Sequence, residues 1–451
     1  MIRVDVAVIG GGFSGCAVAA NLAKYGPADL SLALFEPDEL GRGAAYGTRH
    51  PEHLLNTRAR AMSLYADDPE HFTRWLNGRA APDDFVSRRL YGDYVGEVAR
   101  PLFARGGFVH VRKAAVRIRR DGSGFSLQVG GESTFYAKHV VVATGNPPPN
   151  EEFLPFELRL HPGYIGNPWH YDFRTVGGHV LILGSGLTAL DVIGALRASR
   201  HRGRISVVSR KGQYPEVHAH VLPYDLIVAL NAQDARSLLR SFRHHVEMAQ
   251  RRGFDWRAIV DALRVESEAL WRRLPIAEQR RFDRHLRSRW DRGRHRAPAA
   301  VNEAREVYST SGRLRTYAGR LRSFRNGEAT LSLNSGEQVR LHADWIVNCT
   351  GVGRSSMLAK NTVIRAMLDQ GIVSLDAQCV GLQADAQLCA IGSDGARVFG
   401  LWLIGAIVRG CRFEATAVPE LRAMAHDIAM GIAAALRGDV VAGQVLTEAC
   451  H

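Results

Sequence analysis

Two strand, glycine-turn, helix units and two apolar strands that break at Thr-Gly predict an α/β protein with two Rossmann-like dinucleotide-binding domains and a helical insertion. In the first unit Val6-Ala7-Val8-Ile9 reads as a buried strand, ends in Gly10-Gly11-Gly12-Phe13-Ser14-Gly15, and is followed by a helical stretch from Cys16 to Tyr25. Each glycine has a separate task there. Gly10 permits the tight turn, Gly12 lets the backbone approach a pyrophosphate, and Gly15 allows close packing of the helix. The anion would sit at the helix N-terminus, where free N–H groups point at it. A second strand, Ser31-Leu32-Ala33-Leu34-Phe35, ends in Glu36, 21 residues past Gly15, placed to accept hydrogen bonds from ribose hydroxyls.

The unit recurs at Val180-Leu181-Ile182-Leu183 followed by Gly184-Ser185-Gly186-Leu187-Thr188-Ala189, with Ile205-Ser206-Val207-Val208-Ser209 as its second strand. Glu36 lies 26 residues after Gly10, and the same step from Gly184 falls on Arg210, between Ser209 and Lys211. A carboxylate there would repel a 2′-phosphate; Arg210 and Lys211 would pair with one. The first site therefore reads as binding an adenine dinucleotide with a free ribose, and the second as binding NADPH. The alternative for Arg210 and Lys211 is a solvated surface turn. Val140-Val141-Val142-Ala143-Thr144-Gly145 and Trp345-Ile346-Val347-Asn348-Cys349-Thr350-Gly351 each follow one unit, which suggests nested domains. The expected boundaries are 1–170 for the first part of one domain, 171–350 for the second domain with an insertion at about 213–301, and 351–451 for the return to the first.

The chain has 451 residues, 58 Lys plus Arg against 45 Asp plus Glu, and a formal charge of +13. Its 46% apolar content excludes disordered and fibrous classes, and six scattered cysteines without a CxxC pair (Cys16, Cys349, Cys379, Cys389, Cys411, Cys450) read as reduced thiols. No signal peptide is evident before the first strand, and the longest apolar run, Phe399 to Val408, is too short for a membrane span. A cytoplasmic setting is the expectation. From Asn231 to Ala300 there are 17 Arg and nine acids, an excess of eight, so over half of the basic surplus lies in the insertion. Neither aromatic platforms nor a recognised motif accompanies it, which argues against nucleic acid and for anionic small molecules.

These residues resemble the two-dinucleotide-binding flavoproteins, and within them FAD/NAD(P)-binding proteins similar to flavin-dependent N-hydroxylating and Baeyer–Villiger-type monooxygenases. The segments carrying the resemblance are Gly41-Arg42-Gly43-Ala44-Ala45-Tyr46, His53-Leu54-Leu55-Asn56-Thr57-Arg58-Ala59, Met62-Ser63, Asp67-Asp68-Pro69-Glu70-His71-Phe72, Arg89-Leu90-Tyr91-Gly92-Asp93-Tyr94 and Glu414-Ala415-Thr416-Ala417-Val418-Pro419-Glu420. The resemblance implies FAD on the first motif, held by Gly10, Gly12, Phe13, Ser14, Gly15, Glu36, Asn56, Met62, Gly145, Thr416 and Ala417. It implies NADPH on the second, held by Gly184, Ser185, Gly186, Thr188, Ser209, Arg210 and Lys211. Ser393, inserted between Gly392 and Asp394, favours the 414–418 turn over Asp394 as the flavin contact. Gly163 to His170 is similar to an interdomain motif of flavin monooxygenases without matching its spacing, and reads first as a linker.

The missing CxxC removes a reductase that works through a paired dithiol. A monooxygenase needs NADPH to reduce the flavin, O2 to form a C4a-(hydro)peroxyflavin, and a dry pocket, with no side-chain nucleophile. The resemblance thus implies oxygenation of a small anionic or amine-bearing substrate, foremost N-hydroxylation of an amine or amino acid, with aspartate one candidate. A flavin-dependent NADPH oxidase or dehydrogenase, or a redox-sensing nucleotide-binding protein, is the alternative. No catalytic side chain is assigned. Arg294, His295 and Arg296 are candidates for a substrate carboxylate or the NADPH phosphates, against a helix-terminal charge cluster. His218 and His220 read as a loop over the nicotinamide rather than a metal site, having no third ligand nearby. Homo-oligomerisation is left open.

Overall fold

A computed structural model of the chain describes residues 1–130, 133–149, 151–224, 233–351, 353 and 358–439. Cys450 lies outside them. The strands, in chain order, are β1 (Ile2–Ile9), β2 (Leu32–Phe35), β3 (Phe108–Val111), β4 (Ala115–Asp121), β5 (Gly124–Val129), β6 (Ser133–Val142), β7 (Tyr164–Ile165), β8 (Val180–Leu183), β9 (Ile205–Ser209), β10 (Leu314–Arg325), β11 (Glu328–Leu333), β12 (Gln338–His342), β13 (Trp345–Asn348), β14 (Cys389–Ile391) and β15 (Arg397–Leu403). They form two sheets.

The first sheet runs β14-β15-β6-β1-β2-β3, with the β4–β5 hairpin attached to β6. Its core is parallel: β1 pairs with β2 and β6, β2 with β3, and β6 with β15. A parallel strand covered on both faces cannot alternate polar and apolar residues, which is why β2 reads as an unbroken apolar run and is wholly buried. Helix Phe13–Tyr25 packs on helix Val418–Arg437, and its buried Cys16, Ala17, Ala19 and Ala20 are small enough for close approach. The C-terminal helix thereby closes the first domain with sequence from the far end of the chain.

The second sheet runs β12-β11-β10-β9-β8-β13-β7, parallel from β10 to β7, with β11 and β12 as an antiparallel extension. Both sheets are the Rossmann-like halves that the repeated units predict. Part of the expected linker joins this sheet, since Tyr164–Ile165 pairs with β13.

Four helices, Ala235–Arg251, Trp256–Arg273, Ile276–His285 and Arg287–Arg294, make up the described part of the insertion. Asp234 and Asp255 cap the first two through their carboxylates. Much of the Arg surplus has carboxylate partners: Arg287 with Asp283, Arg257 with Asp255, Arg272 with Glu268, and Arg281 with Glu278. Other pairs leave the insertion. Arg264 grips Glu420 with contacts of 2.6 to 2.9 Å, and Glu268 accepts from Phe413 N at 2.8 Å and from Arg412 at 3.1 Å. The insertion is thus docked on residues 410–420. Among the described residues no helix is long and apolar enough to cross a membrane.

Candidate dinucleotide sites

The two glycine turns are built alike. Gly10 N donates to Phe35 O at 2.9 Å, and Gly184 N to Val208 O at 2.8 Å, so each turn hangs on the neighbouring strand. Both first glycines have positive φ, +104° and +106°, and a Cβ there would lie 2.3 Å from the carbonyl oxygen of Ala143 or Cys349 respectively. Those carbonyls belong to the two strand ends that break at Thr-Gly. Each Thr-Gly strand therefore runs directly beside a glycine turn, and Gly145 continues past the first with φ +71°. At Gly15 a Cβ would meet Gly10 O at 1.8 Å; the second unit tolerates Ala189 at the equivalent place, fully buried.

The middle glycines differ from these. A Cβ on Gly12 would meet only Gly43 Cα at 3.6 Å, and one on Gly186 nothing within 4 Å. Neither is required by the protein's own packing, so the space beside each belongs to whatever approaches the backbone. Gly12 and Gly186 are the N-caps of helices Phe13–Tyr25 and Leu187–Ala198, and neither helix has a side-chain cap. An uncapped helix end next to an open glycine suits a pyrophosphate.

The ends of the second strands set the chemistry apart. Glu36 accepts from Gly11 N at 2.8 Å and Asp38 N at 3.1 Å, which fixes its carboxylate and leaves lone pairs for ribose hydroxyls. Ser185 Oγ donates to Gln213 O at 2.6 Å and lies 2.7 Å from Ser209 Oγ, tying the second glycine turn to the residues around Arg210. Arg210 is exposed and makes no ion pair among the described residues. Lys211 Nζ reaches Ser288 Oγ of the insertion at 2.6 Å. Thr188 is half-buried in the first turn of its helix.

Of the other residues read for FAD, Phe13 stacks on Tyr91 at 6.1 Å, Ser14 is buried with its Oγ near Gly405, and Met62 is buried in the first core. Asn56 O accepts from His218 Nε2 at 3.0 Å. His218 also lies against Phe85 at 4.7 Å, and burial pushes its imidazole down to about 4, so it is neutral at pH 7. Thr416 is exposed and Ala417 is the N-cap of helix Val418–Arg437, three residues past Glu414. Arg294 Nε is 3.4 Å from Glu414 Oε1, and Arg296 Nη2 is 2.5 and 2.8 Å from the two Asp261 oxygens. His295 lies between them in sequence, pushed down to about 3 by burial and the neighbouring arginines. Both guanidinium groups of the Arg-His-Arg run thus already hold acids of the chain.

An open cleft of about 550 Å³ lies between the domains, with Leu54, Phe85 and Leu90 on the first-domain side and His218, His220 and Pro298 on the other. Nearby is a cluster that sequence reading missed. Asp191, 3% exposed on the second-domain helix, faces Arg88 of the first domain at 3.7 Å. Trp169 of the expected linker packs beneath the Arg88 guanidinium and against His53. Burial pushes Asp191 up to about 7 and His53 down to about 3. The available signal was an acid inside the apolar run Leu190-Asp191-Val192-Ile193.

Fold, paired glycine turns and strand ends define a protein with two Rossmann-like dinucleotide-binding halves. Residues 7–147 match the family described as FAD-NAD(P)-binding. No curated protein matches the sequence significantly. Among solved structures the chain is similar to an ornithine N-hydroxylase of Kutzneria sp. 744, solved with reduced FAD, NADP+ and L-ornithine, at 16% identity and TM-score 0.62, covering 97% of this chain and 100% of that one. It is similar to the ornithine hydroxylase of Pseudomonas aeruginosa at 14% identity and TM-score 0.65, over 96% of this chain and 100% of the other. A bacillithiol disulfide reductase of Bacillus cereus aligns too, at 15% identity and TM-score 0.56, over 96% and 99%. At such identities the likeness is one of fold, and it spans monooxygenases and reductases alike.

Proposed function

We propose that the chain is an FAD- and NADPH-dependent monooxygenase that N-hydroxylates a small amine or amino acid. The observation that carries this reading is the pair of glycine turns, each with an open middle glycine, followed by an acid at Glu36 and by Arg210, a cation without an ion pair among the described residues. When bound, the flavin supplies the redox and oxygen chemistry. The residues do the rest. Glu36 holds ribose hydroxyls, the helix ends at Gly12 and Gly186 take the pyrophosphates, and Arg210 takes the 2′-phosphate. The substrate is placed in the interdomain cleft, where Leu54, Phe85 and Leu90 offer apolar contact, Arg58, Arg79 and Asp84 supply charge, and His218 is neutral. Arg294 and Arg296 then act by holding Glu414 and Asp261 rather than by binding substrate.

A paired-dithiol route finds no support in the thiols. Burial raises the pKa of Cys16 to about 12 and of Cys389 and Cys411 to about 11, and Cys349 is also raised by burial. An NADPH oxidase or dehydrogenase is the second reading, favoured by the reductase fold likeness. Coupled N-oxygenated product from an amine and amino-acid screen is the expected result; H2O2 release without product for every compound would favour the second reading. Arg210→Glu is expected to reverse the preference for NADPH over NADH in anaerobic flavin reduction, by roughly two orders of magnitude for a lost and inverted charge contact. An unchanged cofactor ratio would remove Arg210 from the phosphate site.

A further inference from the structure

We propose that the groove between β10 and the β11–β12 turn completes the 2′-phosphate site, with Arg315 as its second cation and Asn334 as the residue that positions Arg210. This rests on the NADPH reading of the second glycine turn. The groove, about 260 Å³, is lined by Arg315, Tyr317, Ala318, Leu333, Asn334 and Ser335, with Glu337 beside them. Asn334 belongs both to its wall and to the Arg210 turn: its Nδ2 donates to Arg210 O at 2.7 Å, while its backbone N donates to Ala318 O at 2.9 Å.

The turn is pinned from the other side as well. Gly212 N donates to Ser209 Oγ at 3.0 Å, and Gly212, at φ +60°, sits so close to β10 that a Cβ would meet Ala318 Cβ at 3.2 Å. Strand register extends the argument. Arg315 pairs with Ser206 and Tyr317 with Val208, so both lie on one face of the strand pair, with Arg315 four residues short of Arg210 and Tyr317 between the two levels. The Arg315 guanidinium lies 5.4 Å from the Tyr317 ring and makes no ion pair among the described residues. Lys211 is directed to Ser288 of the insertion instead. Arg315 alone is balanced by Glu337; with Arg210 the balance becomes positive. A phosphate on the ribose meets two cations there, whereas a free 2′-hydroxyl gains little from either.

The test is calorimetric titration of the flavin-loaded protein with 2′,5′-ADP and with 5′-AMP, for wild type and for Arg210→Gln, Arg315→Gln, Asn334→Ala and Lys211→Ala. Wild type should prefer 2′,5′-ADP. Arg315→Gln and Asn334→Ala should each weaken 2′,5′-ADP by roughly tenfold or more, the loss of one charge-assisted contact or of its alignment, while 5′-AMP changes little. Equal losses for both probes would show a general structural role and overturn the assignment. Absence of any wild-type preference would defeat the NADPH reading itself. If Arg210→Gln and Lys211→Ala weaken 2′,5′-ADP while Arg315→Gln and Asn334→Ala leave it unchanged, the NADPH reading stands and the groove proposal fails.

Discussion

Replacing Gly12 by Ala is expected to yield a folded protein that has lost its flavin. The added methyl would meet only Gly43 Cα, at an ordinary contact distance of 3.6 Å, and Gly12 has an unstrained φ of −71°. Melting should therefore shift little in protein freed of cofactor. The same methyl would stand where a pyrophosphate must approach the helix N-terminus, and FAD affinity should fall by roughly two orders of magnitude, the scale of an overpacked contact. Gly186→Ala is the matched experiment, because nothing lies within 4 Å of its Cβ position. It should keep the flavin and lose NADPH-dependent reduction. Gly15→Ala differs in kind, since its Cβ would stand 1.8 Å from Gly10 O and the strand-helix packing itself must give way. Flavin absorbance and fluorescence after purification, with melting curves, separate the three. A Gly12→Ala protein that purifies fully loaded would mean the first turn is not the dinucleotide site.

These glycines were legible because their signal is local. A turn that needs positive φ, a helix start and a buried strand all fall within a few residues of sequence. The strand ending at Glu36 and the one ending at Arg210 were readable for the same reason. Partners across the fold were not. The Arg-rich insertion announced its charge but not that Arg264 would close on Glu420, or Arg296 on Asp261, because such pairs depend on how helices dock. Lys211 shows the limit most plainly. It adjoins Arg210, yet its side chain crosses to Ser288, while Asn334, more than a hundred residues away in sequence, donates to the Arg210 carbonyl and shares a groove with Arg315. Asp191 looked like any helical acid until Arg88, itself stacked on Trp169, closed on it.

That enclosure leads to the largest expected effect of pH. Burial holds His53 down to about 3, His139 and His218 to about 4, and His295 to about 3, against an ordinary histidine value of 6.5. Below pH 6.5 the unfolded chain takes up protons at these rings before the folded one does, so stability falls as pH drops from 6.5 toward 4. Three acids oppose this, Asp427 among them, raised by burial. Asp191 is raised to about 7 and Asp291 to about 6, so in the same window the folded chain holds protons that the unfolded chain has released, and their contribution to stability is lost as pH rises. His71 and His179 are lowered by burial too, and six rings against three carboxyls leave the histidines dominant. The net slope should be about 2 kcal/mol per pH unit after allowance for solvent screening at the half-buried rings. His53→Asn preserves a hydrogen-bonding partner for Thr48 and cannot titrate, and should make this acid limb shallower. Asp191→Asn removes an opposing group and should make it steeper. Chemical denaturation at pH 4.5, 5.5, 6.5 and 7.5 measures both; an acid limb left unchanged in Asp191→Asn would show that the buried carboxyl is ionised beside Arg88 throughout, and that the two domains meet through a true ion pair.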